Sequence, residues 1–83
     1  MEFEWDEAKN GANRLKHGFD FTFAIRIFDG RVRQGIDRRP RNERRVIATG
    51  QVEGLWISVI YTRRNGRYRI ISARPARRGE RFS

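Results

Sequence analysis

The hydrophobic period of the chain changes near residue 31. Before that point, after a short opening, apolar residues recur at helical spacing. Residues 2–5, EFEW, alternate polar and apolar and predict a short strand. Asp6 then stands where a helix would be capped, and Glu7 falls in a first turn that favours negative charge. A helix is expected over Glu7–His17, with Ala8, Ala12 and Leu15 on one face. Gly11 costs it about 1 kcal/mol relative to alanine. Lys16 and His17 fall in the last turn and Gly18 suits the position just past the end. A second helix is expected over Asp20–Phe28, capped by Asp20. Phe21, Ala24, Ile25 and Phe28 repeat there at i, i+3, i+4 and i+7, and Asp29-Gly30 ends it.

Beyond residue 31 the period is two. RVRQGID predicts an edge strand, and residues 38–45, RRPRNERR, a charged loop with one proline. RVIATGQV, LWISVIYT and RYRIISAR, rich in valine, isoleucine, tyrosine and tryptophan, predict three strands. Glu53-Gly54 joins the first two, and Asn65-Gly66 is the strongest short-range turn signal between the last two. The back half therefore reads as an antiparallel meander. The tail, PARRGERFS, begins with a proline able to open a helix but leaves little length to finish one.

These elements assemble into one α+β domain over residues 1–83. Two N-terminal helices pack on one face of a four- to five-stranded antiparallel sheet, followed by a short C-terminal tail. The expected core includes Trp5, Leu15, Phe21, Phe28, Ile47, Ile57, Val59 and Ile70. The opposite sheet face is expected to carry arginines and stay open. No apolar run approaches membrane-spanning length, and no signal peptide is apparent, which suits a cytoplasmic protein.

Charge changes the picture most. Of nineteen basic residues, seventeen are arginine, against ten acids. Lysine suffices for a soluble surface, whereas the planar, forked guanidinium suits phosphates and bases. The first twenty residues carry five acids and three bases; the remainder carries five acids and sixteen bases. An acidic nose on a basic body points to nucleic acid, or to an acidic protein, as the partner of the body. One histidine and no cysteine argue against a transition-metal site, and neither a phosphate-cradling glycine loop nor a nucleophile elbow appears. No cofactor is expected.

The candidate chemistry is correspondingly narrow. His17 either serves only as a cation at a helix end, its pKa nudged upward by the dipole, or works there as an acid or base. Lys16 beside it is expected to point elsewhere on the helix, where it is either solvated or touches phosphate. Glu43 lies among Arg38, Arg39, Arg41, Arg44 and Arg45, as charge relief or as a carboxylate able to take a proton or orient an arginine. Tyr61, Arg63, Arg64, Arg69 and Arg74 come from the last two strands and their turn. As a phosphate clamp the arginines would also stabilise charge on a transition state; otherwise they form a solvated strand face. Arg67 and Arg69 share one face of a regular strand and Arg74 takes the other, unless a bulge or bend near Ser72 intervenes. Metal-free chemistry on a phosphodiester fits this set, and RNA fits better than DNA because its 2′-hydroxyl is an internal nucleophile.

FEWDEAKNGANRLKHGFDFTFAIRIF resembles the start of the BrnT toxin family, whose pattern here falls on Phe3, Trp5, Asp6, Lys9, Asn13, Lys16, His17, Gly18, Phe21, Ala24 and Phe28. NERRVIATGQVEGLWISVIYTRRNGRYRIISARPARRGER is similar to its second half. The likeness covers nearly the whole chain. It implies a RelE-like fold and a type II toxin–antitoxin system, with a metal-independent endoribonuclease that blocks translation. It also implies a BrnA-like ribbon-helix-helix antitoxin, through which alone operator DNA would be bound. By matching position, Lys16 and His17 would flank the site, with Glu43, Tyr61, Arg63 and Arg74 around it. Arg63 and Arg74 would hold the phosphate and His17 and Glu43 would handle protons; Arg64 and Arg69 would contact RNA. Two departures stand out. Asn42 precedes Glu43 where the family has glycine. Members also continue into a longer C-terminal helix with a tyrosine, where this chain has Phe82 and then Ser83. A shorter end is expected to leave core surface exposed, to make the fold lean on its partner, or to reduce catalysis. The alternative is a basic RNA- or ribosome-binding module, or a degenerate toxin that only pairs with its antitoxin.

Overall fold

The computed structural model describes residues 1–39 and 42–83. The elements run β1 (Phe3–Trp5), α1 (Glu7–His17), α2 (Phe21–Ala24) continued by a 3-10 turn (Ile25–Asp29), β2 (Arg33–Asp37), β3 (Arg45–Val52), β4 (Leu55–Arg64) and β5 (Arg67–Pro75). A final 3-10 turn spans Arg78–Glu80. The loop expected at 38–45 includes residues 40 and 41, which lie outside the described residues.

The sheet has the order β1-β5-β4-β3-β2. Its last four strands form the expected meander. Both hairpin turns place two residues at positive φ, Glu53-Gly54 and Asn65-Gly66, which matches the twist of the strands they join. The sheet is nevertheless mixed, because β1 pairs parallel to β5, Phe3 opposite Tyr68 and Trp5 opposite Ile70. A parallel partner needs a long crossover, and here the whole of the chain between the two strands supplies it.

The helices lie on one sheet face, over a core of Phe21, Ala24, Ile27, Ala48, Ile57, Val59, Ile70 and Ala73. Trp5 and Phe28 pack against it while half-buried. Gly50 lets the 3-10 turn approach β3, since a Cβ there would meet Arg31 O at 3.0 Å and Ile27 Cβ at 3.1 Å. The second helix is shorter than its periodicity suggests, because its second half tightens to 3-10 geometry.

Two core expectations fail. Leu15 is 91% exposed, and Ala8 and Ala12 are exposed with it. The inward face of α1 is instead Asn10, Asn13 and His17. Asn10 accepts from Phe21 N at 2.7 Å. Buried Asn13 donates to Phe19 O at 3.1 Å and accepts from Ala73 N at 3.2 Å. The helix is docked by amide hydrogen bonds to backbone groups, which outweigh the small apolar area its other face offers. The second failure is Ile47. It sits on the opposite face of the sheet, half-buried, because its register partner Ile60 faces that way.

That opposite face is only partly open. After β5 the tail turns back over it. Ser58 Oγ donates to Glu80 at 2.9 Å, and Phe82 meets Trp56 edge-to-face at 5.0 Å between ring centres.

Candidate active site: a crevice at a strand bulge

The β4–β5 register slips by one residue. Ile60 pairs with Ser72 and Tyr61 with Ile70, so Ile71 is an extra residue in β5. Before the bulge, Arg67 and Arg69 point to the face away from the helices. Without the bulge, Arg74 would point to the helix face. With it, Ser72 and Arg74 join Arg67 and Arg69 on the cationic face, while Ala73 takes its place in the core.

β1 ends opposite Ile70, so α1 rather than another strand lies beside the bulged part of β5. Between them is a depression of about 300 Å³ lined by Lys9, Ala12, Asn13, Lys16, His17, Phe21, Ile71, Ser72, Ala73 and Arg74. Asn13 fixes the wall by tying α1 to the Ala73 backbone. His17 is oriented by stacking on Phe19, ring centres 6.0 Å apart.

Ser72 and Arg74 also line a second depression, of about 260 Å³, on the cationic face. Its other walls are Asp37, Arg39, Arg45, Ile47, Ile60 and Arg77. Among the described residues four guanidiniums therefore line one basin, which shares Ser72 and Arg74 with the lining of the crevice holding His17. Arg39 is bound to Asp37 through Nε and Nη2. Arg45 Nε is buried without a hydrogen-bond partner, a donor whose desolvation is uncompensated.

The electrostatics of His17 differ from expectation. Its pKa is lowered, first by partial burial, then by the charges of Lys16 and Arg74. Two nearby cations and lost hydration oppose and exceed the pull of the helix end. The lowering favours the neutral imidazole, whose lone pair is able to accept a proton. Arg74 is held by Glu80 in a two-pronged pair, Nη1 to Oε1 at 2.7 Å and Nη2 to Oε2 at 2.8 Å.

The structure brings Lys16, His17 and Arg74 together; the remaining candidates lie elsewhere. Glu43 pairs with Arg64 at 3.2 Å and with Arg45 at 3.5 Å, at the margin of the basin. It lines neither depression. Arg63 projects to the helix side and lies over the Tyr68 ring, 4.2 Å from its centre. Tyr61 is buried, donates to Gln34 and packs against Tyr68 and Phe28. Burial, then Tyr68, push its pKa up, so it stays protonated. Arg69 pairs with Glu4 at 3.0 Å, and Arg67 reaches both Glu2 and Glu4. The acidic start of the chain thus neutralises the arginines beside it.

Sequence reasoning missed Lys9, Arg39, Arg45, Arg77 and Glu80 as site residues. For Lys9 a signal existed: Lys9 and Lys16 are seven apart, on one helix face. Among the described residues no cluster of histidine, cysteine or acidic side chains suits a metal ion.

Residues 5–80 match the family described as ribonuclease toxin, BrnT, of type II toxin–antitoxin system. The chain belongs to this family. No curated protein sequence matches it. As a BrnT-family toxin it is assigned to ribonuclease chemistry and to a system in which an antitoxin is its partner. No described helix is long and apolar enough to cross a membrane.

Proposed function

We propose that this BrnT-family chain is a metal-independent endoribonuclease whose reaction takes place where the His17 crevice meets the arginine basin. The observation that carries the reading is that His17 and Arg74 line one crevice, where a bulge turns that arginine toward a cationic basin, with burial, Lys16 and Arg74 lowering the imidazole's pKa. His17 accepts the proton of a ribose 2′-hydroxyl. The 2′-oxygen attacks the adjacent phosphorus, the bond to the 5′-oxygen breaks, and a 2′,3′-cyclic phosphate is left. Arg74 neutralises the charge that grows on the phosphorane. Lys9 and Lys16 are the crevice's available donors to the departing 5′-oxygen. Arg39, Arg45 and Arg77 hold the neighbouring phosphates of the strand.

Cutting RNA in this way halts translation in the cytoplasm. The antitoxin is expected to be a BrnA-like ribbon-helix-helix protein, and operator DNA is bound through it alone. The test is cleavage of an RNA oligonucleotide by purified protein in EDTA, beside the same oligonucleotide bearing a 2′-deoxy residue at the scissile position. The proposal expects the first to be cut and the second to survive. Cleavage that needs an added divalent ion, or that ignores the deoxy substitution, contradicts it. A second reading is a basic module that holds RNA without cutting it. It is favoured by the absence of any carboxylate from the described lining of the His17 crevice. That reading expects binding that weakens steeply with salt, and intact RNA.

A further inference from the structure

Glu80 belongs to no element that the cleavage scheme uses, yet its carboxylate accepts four hydrogen bonds. Its Oε1 accepts from Arg74 Nη1 at 2.7 Å, from the Arg77 backbone N–H at 2.7 Å and from Ser58 Oγ at 2.9 Å. Its Oε2 accepts from Arg74 Nη2 at 2.8 Å. Ser58 is fully buried and is itself paired with buried Thr49, oxygen to oxygen at 2.6 Å. The carboxylate is thus anchored to the middle of the sheet on one side and grips a guanidinium on the other.

We propose that Glu80 is a positioning residue for RNA cleavage. Backed by Ser58, Thr49 and the Arg77 backbone, it locks the Arg74 guanidinium in one orientation, with its remaining N–H donors free to face the scissile phosphate. A fork held through both Nη atoms, with Nη1 also reaching Pro75 O at 3.5 Å, still has the Nε–H and one further proton on Nη2, and a fixed plane loses little entropy when those donors bind. An unheld guanidinium at the same place would have to be ordered during the reaction, which costs rate rather than ground-state affinity. The alternative role for such a pair is to staple the tail, which would appear in stability and not in the chemical step.

This inference rests on the ribonuclease reading, so its test carries a readout that needs no activity. Arginine side-chain NMR of the intact protein follows rotation about the Arg74 Cζ–Nε bond, and single-turnover cleavage separates rate from RNA affinity. The proposal expects slow Arg74 rotation in the native protein and fast rotation in Glu80→Gln. It expects the maximal cleavage rate of Glu80→Gln to fall about 10- to 100-fold while RNA affinity changes less than about threefold. Ser58→Ala, which leaves the pair but removes one support, should move both readouts the same way by less, and it decides the matter should Glu80→Gln fail to fold. Freely rotating Arg74 in the native protein overturns the proposal. So does native-like cleavage in the variant, or a loss confined to affinity. If the native protein holds Arg74 rigid and cuts no RNA, the ribonuclease reading falls and the positioning of Arg74 stands.

Discussion

The two faces of this sheet are made from the same strands and obey different rules. On the helix face, aromatic rings do most of the covering: Phe3, Phe28, Tyr61 and Tyr68 contact one another at ring-centre distances of 5.1–6.3 Å. Arg63, which emerges there, is absorbed as a cation lying on a ring. On the opposite face arginines are held by carboxylates from distant parts of the chain: Arg69 by Glu4, Arg64 by Glu43, Arg74 by Glu80. Strand alternation alone would put Arg74 with the rings. One extra residue, Ile71, moves it to the carboxylate face and to the mouth of the His17 crevice. The lesson is that an arginine's usefulness here is decided by register, to which composition is blind.

The sharpest way to break the comparison is to remove one arginine from each face. Arg74→Ala should lower RNA cleavage about 10²- to 10³-fold, the usual cost of losing a charge-stabilising donor. Arg63→Ala should stay within about threefold of native. Equal losses would show that the face does not matter. Next in size is Asn13→Ala, which leaves the Ala73 N–H and the Phe19 carbonyl unpaired in a buried place. A loss of about 2–4 kcal/mol in urea unfolding is expected, since both groups pay desolvation without a partner. Leu15→Ser, on the other side of the same helix, should cost under about 0.5 kcal/mol.

Smaller still is an acid effect specific to the tail. Arg74 first, with Arg77's backbone N–H and Ser58, holds the Glu80 carboxyl at about 2 instead of the ordinary 4.5. A carboxyl lowered by folding contributes stability above its unfolded pKa and loses it as pH falls through the folded one. The unfolding midpoint should therefore fall between pH 5 and pH 2, and fall less in Glu80→Gln. Parallel curves for the two proteins would remove the Arg74 pair from the stability of the tail.

Much of the fold was legible because it depends on local signals. Asp6 and Asp20 cap where expected, accepting from Ala8 N at 2.8 Å and Phe23 N at 2.9 Å, and Asn65-Gly66 turns the last hairpin. What escaped depends on distant partners. The Ala8, Ala12 and Leu15 spacing marks an apolar stripe correctly, but three small or lone apolar groups bury too little area to compete with asparagines that satisfy backbone groups. β1's direction is set by its pairing with a strand more than sixty residues away in sequence, which no local pattern encodes. The same holds for the site. Lys16 and His17 are neighbours in sequence, and both line the crevice although helical spacing alone turned Lys16 elsewhere. Glu43 was singled out by the arginines around it, and pairing with two of them is what the structure shows. Glu80, unsuspected, reaches Arg74 only because the tail folds back across the sheet.

The central claim, that a neutral His17 removes the 2′-hydroxyl proton beside Arg74, is tested most directly by the pH dependence of single-turnover RNA cleavage in native protein and in His17→Ala. Because partial burial, Lys16 and Arg74 lower the imidazole's pKa, the native rate should climb with pH to a plateau, with the midpoint of the climb below the ordinary 6.5. In His17→Ala that limb should vanish and the plateau should drop about 10²- to 10⁴-fold. An unchanged limb and an unchanged plateau in the variant would contradict the account.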